Sequence, residues 1–95
     1  MKSLKSRVKP TSDEFQANHA AMQAVVEDLY ESVARAAEGG SPKARDLHES
    51  RGKLFVRDRI SLLLDPDTAF LEFSALAAHG LYDDKAPGAG VVTGI

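Results

Sequence analysis

The side chains of this chain that are able to take part in chemistry fall into three sets: histidines, two pairs of carboxylates, and one basic cluster. Acid–base work by the first two sets requires a desolvated, mutually perturbed setting, and a helical zinc site requires two histidines at helical spacing. Neither condition is met, because the histidines are far apart and each acid pair falls in a turn or loop. The residues are His19, His48, His79, Asp65 with Asp67, and Asp83 with Asp84. We expect structural or surface roles for all of them, and no catalytic residue and no metal ligand is assigned.

The basic cluster consists of Arg51, Lys53, Arg57 and Arg59. Two interpretations are open. A phosphate-bearing ligand could use such a cluster, because guanidinium and ammonium groups bind phosphate oxygens. The commoner arrangement is a solvated helix face whose arginines pair with Asp58 and neighbouring acids.

The glycine motif Gly88-x-Gly90 is typical of phosphate loops only in a different context. The dinucleotide-binding fingerprint follows a strand and opens a helix, whereas this pair precedes a strand. Thr93 also occupies the position of the third glycine. The motif therefore predicts a plain turn.

Composition limits the class of protein further. The chain has 95 residues, 43% of them hydrophobic, and no cysteine, which excludes disulfide and thiolate chemistry. The net charge is −2, but residues 1–10 hold four basic residues and no acid, so the rest of the chain carries a charge of −6. No nucleic-acid partner is implied by this balance, and no membrane association by the short apolar runs. We predict a cytoplasmic protein, with the mitochondrial matrix as the alternative.

Three helices are expected to position these groups. Thr11 and Glu14 form a capping box that starts a helix from Thr11 to Glu38, ended by Gly39-Gly40. Its apolar stripe must lie against another surface. The stripe comprises Phe15, Met22, Val25, Val26, Leu29, Tyr30 and Val33.

The second and third helices are shorter. Ser41 as cap and proline in the first helical position predict a helix from Pro42 to Ser50, which Gly52 breaks. The third covers Val56 to Leu64 and stops at Asp65-Pro66. Its expected apolar face consists of Val56, Ile60, Leu63 and Leu64.

The hydrophobic period then changes to that of strands. Short strands are predicted at 69–73 and 91–95, separated by a small apolar turn and a loop over 81–90. The order is helix, helix, helix, strand, loop, strand, which is an α+β segment. We predict a basic, disordered leader over 1–10, a helical segment over 11–64, and the start of a truncated further domain over 65–95.

The run from Arg51 to Ile95 carries a family resemblance. Its distinctive features are Arg51-Gly52-Lys53-Leu54 followed by Arg57-x-Arg59-Ile60, then Leu63-Leu64-Asp65-Pro66, then Phe70-Leu71-Glu72. This pattern resembles the N-terminal segment of carboxyltransferase (beta) subunits of biotin-dependent acyl-CoA carboxylases. Within that family, the block from Ser74 to Ile95 is most similar to the methylcrotonyl-CoA carboxylase branch. Val56, Asp67 and His79 depart from residues common in that branch.

The resemblance implies an α/β fold of the crotonase type and transfer of carboxyl from carboxybiotin to an acyl-CoA. It also implies a biotin carried on a partner alpha subunit, and association of several beta subunits. In that family, paired backbone amides beyond Ile95 stabilise the enolate, so this segment is expected to be inactive alone. Cofactor-binding residues are not assigned.

Two alternatives stay open. The same segment could come from a propionyl- or geranyl-CoA carboxylase. A different class is a stand-alone helical interaction module without catalysis, in which the long first helix pairs with itself or a partner.

Overall fold

The computed structural model describes all residues from 1 to 95. Three helices, α1 (Asp13–Ala37), α2 (Pro42–Ser50) and α3 (Val56–Leu63), precede two short strands, β1 (Glu72–Phe73) and β2 (Thr93–Gly94). The predicted order of elements is therefore confirmed, and the segment is rich in helix with one small sheet. The chain divides into two compact units, Met1–Glu31 and Ser32–Ile95.

In the first unit, the N-cap of α1 lies one residue later than the capping-box prediction places it, and the helix runs from Asp13 to Ala37 rather than from Thr11 to Glu38. The backbone amide of Phe15 donates to Ser12 Oγ at 3.2 Å, so Ser12 is the N-cap and Thr11 is not. A capping box requires a glutamate or glutamine three residues after the N-cap. The residue three positions after Ser12 is Phe15, so no reciprocal capping box forms. Residues 1–9 form neither helix nor strand and are exposed. That they are disordered stays a prediction.

Within this chain most of the α1 stripe is uncovered, so the expectation that it lies against another surface stays a prediction. Met22, Val25 and Tyr30 are 62%, 64% and 69% exposed. In the second unit, the buried residues of the same helix are Ser32 and Ala36. Periodicity identifies the apolar face of a helix correctly, but it carries no information about what covers that face. No helix of the structure has the length and apolarity needed to cross a membrane.

Local signals determine α2 closely. Ser41 Oγ accepts a hydrogen bond from the backbone amide of Ala44 at 3.3 Å, and Pro42 occupies the first turn. The helix ends where Gly52 adopts a φ of +74°, a conformation that glycine reaches without a steric penalty. The predicted bounds, Pro42 to Ser50, are confirmed.

The third helix is one residue shorter than predicted. Leu64 takes an extended conformation (φ −80°, ψ 149°), just before Asp65-Pro66. Of the expected apolar face, Ile60 and Leu64 are partly buried, whereas Leu63 is 83% exposed. The face is therefore only half covered.

The sheet is antiparallel and short. Glu72 pairs with Gly94 and Phe73 with Thr93, and reciprocal hydrogen bonds between Leu71 and Ile95 extend the pairing by one residue. The predicted strands over 69–73 and 91–95 are longer than this, because only the residues with a facing partner form ladder bonds. A Cβ atom at Gly94 would overlap the ring of Phe70.

The connection between the strands is a chain of tight turns. The backbone amide of Ala78 donates to Pro87 O at 2.8 Å, and both residues are buried. Between them, Tyr82, Asp83 and Asp84 have φ values of 53–55°, the left-handed region that disfavours residues with a Cβ. The predicted loop over 81–90 is thus confirmed as a compact turn region.

Candidate functional site

The most highly connected polar side chain is that of Arg57, on the first turn of α3. Its Nη1 and Nη2 atoms donate to the two carboxylate oxygens of Glu72, both at 2.9 Å, and its Nε donates to Ala37 O at 3.2 Å. One guanidinium thus joins the C-terminus of α1, the start of α3 and strand β1. We call the guanidinium of Arg57, the carboxylate of Glu72 and the carbonyl of Ala37 the arginine clamp.

The clamp is partly shielded from solvent. The side chains of Arg57 and Glu72 are 31% and 21% exposed, intermediate between a surface pair and a buried one. The hydrogen bonds to Arg57 lower the pKa of the Glu72 carboxyl, against the opposing effect of desolvation. The same hydrogen bonds raise the pKa of Arg57. Both groups are therefore charged and mutually satisfied.

This geometry corrects the expectation for Arg57. The commoner arrangement proposed for the basic cluster was a pair with Asp58 or nearby acids on the helix face. Instead, the partner of Arg57 is Glu72, 15 residues further along the chain. Sequence spacing misses Glu72 because the contact is made between a helix and a strand. Its only signal is an acid within the otherwise apolar strand-like run around it.

A cavity of about 380 Å³ adjoins the clamp. Small residues such as Ala36, Gly39 and Ala44 line it together with Phe55 and Arg45. The guanidinium of Arg45 lies 4.1 Å above the Phe55 ring and also pairs with Glu49 at 3.0 Å. The charged side chains that line the cavity are thus each engaged with a partner, within the lining or just outside it.

The three other basic residues of the cluster are exposed and differ from Arg57 in lacking a partner. The four ion pairs of the structure include none of Arg51, Lys53 and Arg59. Lys53 and Arg59 line a shallow depression together with His48 and Leu54. The cluster is therefore divided: one arginine stabilises the fold, and two cations face an open depression.

The histidines do not converge. His48 Nε2 hydrogen bonds to Leu54 O at 2.9 Å, His19 stacks on Phe15 with ring centroids 6.0 Å apart, and His79 Nδ1 lies 3.8 Å from Asp84 Oδ1. No group of three metal-ligating side chains occurs in the structure. Each histidine thus makes a local contact of its own.

The carboxylate pairs are parts of turns. The amide and hydroxyl of Thr68 both donate to the backbone carbonyl of Asp65, in the turn that follows α3. Asp84 Oδ1 accepts from the Gly80 amide at 2.8 Å, and Asp83 Oδ2 pairs with Lys85 at 3.4 Å. These contacts organise the chain locally.

The Gly88-x-Gly90 motif forms a turn directly before β2. The amide of Ala89 donates to Ala86 O at 2.9 Å and that of Val91 to Gly88 O at 3.4 Å. No helix follows, so the structure agrees with the turn predicted from context. Two of the turn's amides are bonded internally and are not free to bind a ligand.

Comparison with known proteins gives consistent matches. Residues 47–95 match the carboxyl transferase domain family. The beta1 subunit of biotin-dependent 3-methylcrotonyl-coenzyme A carboxylase from Mycobacterium tuberculosis is 52% identical over 71 residues, which are 75% of this chain and 13% of that protein. A probable mitochondrial methylcrotonoyl-CoA carboxylase beta chain from Drosophila melanogaster is 44% identical over 93 residues, 97% of this chain and 16% of that protein.

A propionyl-CoA carboxylase beta chain from Roseobacter denitrificans is also similar. It is 40% identical over 78 residues, which are 77% of this chain and 15% of that protein. The chain therefore spans less than a fifth of the length of the curated relatives described here.

Proposed function

Because this chain belongs to the carboxyl transferase domain family, we propose that it forms the N-terminal part of an acyl-CoA carboxylase beta subunit. That subunit would transfer carboxyl from carboxybiotin to an acyl-CoA such as 3-methylcrotonyl-CoA. The observation that carries the proposal is the 44% identity over 97% of this chain to a beta chain of this kind. The family resemblance predicted from residues 51–95 is confirmed by the family match.

The methylcrotonyl-CoA branch is the favoured substrate class. Relatives named for this substrate match at up to 52% identity, and the propionyl-CoA relative matches at 40% over a similar share of the chain. A propionyl- or geranyl-CoA substrate remains the alternative proposal. The whole-domain fold is proposed to be of the crotonase type.

Within such a subunit, the local role of this segment is proposed to be structural. The arginine clamp joins α1, α3 and β1, which supports a scaffold function for the helices around the first strands. No catalytic residue is assigned to the segment, because the side chains able to perform acid–base chemistry make separate local contacts. We expect the segment alone to be inactive.

Biotin would be supplied by a partner, the biotin-carrying alpha subunit, and several beta subunits would associate. Stabilising the ureido oxygen of biotin would require convergent, unoccupied backbone amides. The glycine-rich turn of this chain does not meet that requirement, since the amides of Ala89 and Val91 are bonded within the turn. We derive no step of carboxyl transfer through these residues.

The proposed location is the cytoplasm, with the mitochondrial matrix as the alternative. The Drosophila melanogaster relative and a beta chain from Arabidopsis thaliana are both named as mitochondrial, whereas the relative at 52% identity is bacterial. The basic residues 1–10 are compatible with either location.

The test uses the intact beta subunit that contains this segment, co-expressed with a biotin-carrying alpha subunit. Incorporation of labelled bicarbonate is measured with 3-methylcrotonyl-CoA, propionyl-CoA and geranyl-CoA. We expect the highest kcat/KM with 3-methylcrotonyl-CoA. A higher kcat/KM with propionyl-CoA or geranyl-CoA would assign that acyl-CoA as the substrate instead. If none of the three were carboxylated, the proposal would be refuted.

A second candidate is a helical interaction module, favoured by one observation, the exposed stripe of α1. It predicts that the 95-residue chain forms a defined oligomer with a cooperative thermal transition. Analytical ultracentrifugation and circular dichroism measure both properties. A monomer that lacks a cooperative transition would eliminate this candidate.

A further inference from the structure

The shallow depression beside α2 and α3 has an unusual composition. It has a volume of about 450 Å³ and is lined by His48, Lys53, Leu54 and Arg59. We call it the basic depression. Three of its four lining residues carry basic groups, and no carboxylate lines it.

Local structure holds these groups together. The turn at Gly52 ends α2 and leads directly into Lys53, while Arg59 lies in the first half of α3. His48 Nε2 donates to Leu54 O at 2.9 Å, since a carbonyl oxygen only accepts, and this bond ties α2 to the connecting segment. The backbone positions that carry the lining side chains are therefore set by α2, by the turn at Gly52 and by α3.

The two long cations of the depression have no protein partner. Two other arginines of the chain are engaged: Arg57 binds Glu72, and Arg45 binds Glu49. Lys53 and Arg59 take part in no ion pair, although the net charge of the chain is −2 and acids are plentiful. Two unpaired cations in one concave site are suited to an anion, and a guanidinium matches the geometry of phosphate oxygens.

We propose that the basic depression binds phosphate groups, with Arg59 and Lys53 as the charged ligands and His48 holding the site in shape. Two sources share this chemistry. One is the phosphate-bearing end of an acyl-CoA, which rests on the proposed function, and the other is a free nucleotide. Leu54, which is 53% exposed, provides an apolar surface for the organic part of either ligand.

The test compares two double variants of the intact subunit that contains this segment. Lys53→Gln with Arg59→Gln removes both charged ligands, and Lys5→Gln with Lys43→Gln is the matched control. All four side chains are exposed and unpaired, so both variants remove the same charge without breaking a contact. The probe is inorganic pyrophosphate, titrated calorimetrically at low ionic strength because screening weakens exposed sites.

We expect the Lys53/Arg59 variant to bind pyrophosphate roughly tenfold more weakly than the parent, because two exposed charge contacts are lost. The control variant should stay within about twofold, as expected from long-range screening alone. Equal affinities of the two double variants for pyrophosphate would overturn the proposal.

Steady-state kinetics then distinguish the two sources. A rise in KM for the acyl-CoA at unchanged kcat, with no change for the phosphate-free acyl-pantetheine, identifies the substrate as the ligand. An unchanged KM together with weaker binding of ATP identifies a free nucleotide. Both results support the phosphate site. A subunit that carboxylates no acyl-CoA refutes the proposed function only, since the pyrophosphate titration decides this inference independently.

Discussion

Replacing Glu72 by glutamine tests whether the arginine clamp stabilises the junction of helices and sheet. The substitution keeps the shape of the side chain and removes its charge, which leaves the guanidinium of Arg57 partly shielded without its counter-ion. Exposed ion pairs contribute about 0–1 kcal/mol, and breaking a buried pair costs about 3–5 kcal/mol. Because the two side chains are 31% and 21% exposed, we expect a loss of roughly 1–2 kcal/mol.

Hydrogen exchange in the intact protein is the assay, because it reports local opening. The amide of Leu71, bonded to Ile95 O at 2.8 Å, lies next to Glu72 in the sheet. A loss of roughly 1–2 kcal/mol in local stability should speed its exchange about 5- to 30-fold. Glu49→Gln is the control. It breaks the Arg45–Glu49 pair, whose side chains are 41% and 47% exposed, and it should change exchange of Leu71 by less than about twofold.

A double-mutant cycle isolates the pairwise interaction. It uses Arg57→Met, Glu72→Gln and the combination of both substitutions. We expect a coupling free energy of about 1 kcal/mol or more, because the contact is bidentate and charge-assisted. A coupling near zero, or an effect of Glu72→Gln no larger than that of Glu49→Gln, would refute the reasoning.

The same clamp predicts a dependence on pH. Since the pKa of Glu72 is lowered in the folded state, its contribution is complete above the unfolded pKa, about 4.3, and is lost as the pH falls through the folded value. The pKa of Arg57 is raised, so its contribution is lost only in strong base. The stability difference between the parent and Glu72→Gln should therefore shrink below about pH 4.3 and stay constant from pH 5 to 8.

Two further substitutions test local features, each by urea unfolding or helical circular dichroism. Gly39→Ala should destabilise the chain by about 1–3 kcal/mol, because the residue has a φ of +80° and its new Cβ would lie 2.9 Å from Phe55 Cε2. Gly52→Ala is the control: its φ is similar, at +74°, but a Cβ there would meet open space, so the loss of stability should be smaller. Equal losses for the two variants would argue against the contact with Phe55. Ser12→Ala should destabilise α1 by about 1 kcal/mol while Thr11→Ala leaves it unchanged, and the reverse order would restore the predicted capping box.

Features encoded within a few neighbouring residues are predictable from this sequence. The bounds of α2 follow from a serine cap, a proline in the first turn and a glycine beyond the end, and each acts over three or four residues. The shift from Thr11 to Ser12 shows the limit of such signals, since adjacent residues of similar chemistry compete for one cap position.

Contacts between distant residues are not predictable in the same way. The clamp joins residues separated by 15 and 20 positions, and spacing along a helix contains no information about them. The exposure of Met22 and Tyr30 is a related case, because an apolar stripe is visible in the sequence while the surface opposite it is not. The phosphate interpretation of the basic cluster depended on which arginine would find an acid, and only the fold distinguishes Arg57 from Arg59.

The hydrogen bond from Arg57 to Ala37 O has a consequence for the order in which this segment acquires structure during synthesis. The carbonyl at the end of α1 obtains its donor only when a residue 20 positions later has been added. That donor is oriented by a carboxylate another 15 positions on. At ribosomal rates of about 5–20 residues per second, synthesis of the residues from Ala37 to Glu72 takes on the order of seconds, and during this time the carbonyl of Ala37 lacks the oriented guanidinium of Arg57. The last turn of α1 is therefore expected to fray until Glu72 has been added, and the sheet forms later still, because the strand partner of Glu72 is Gly94.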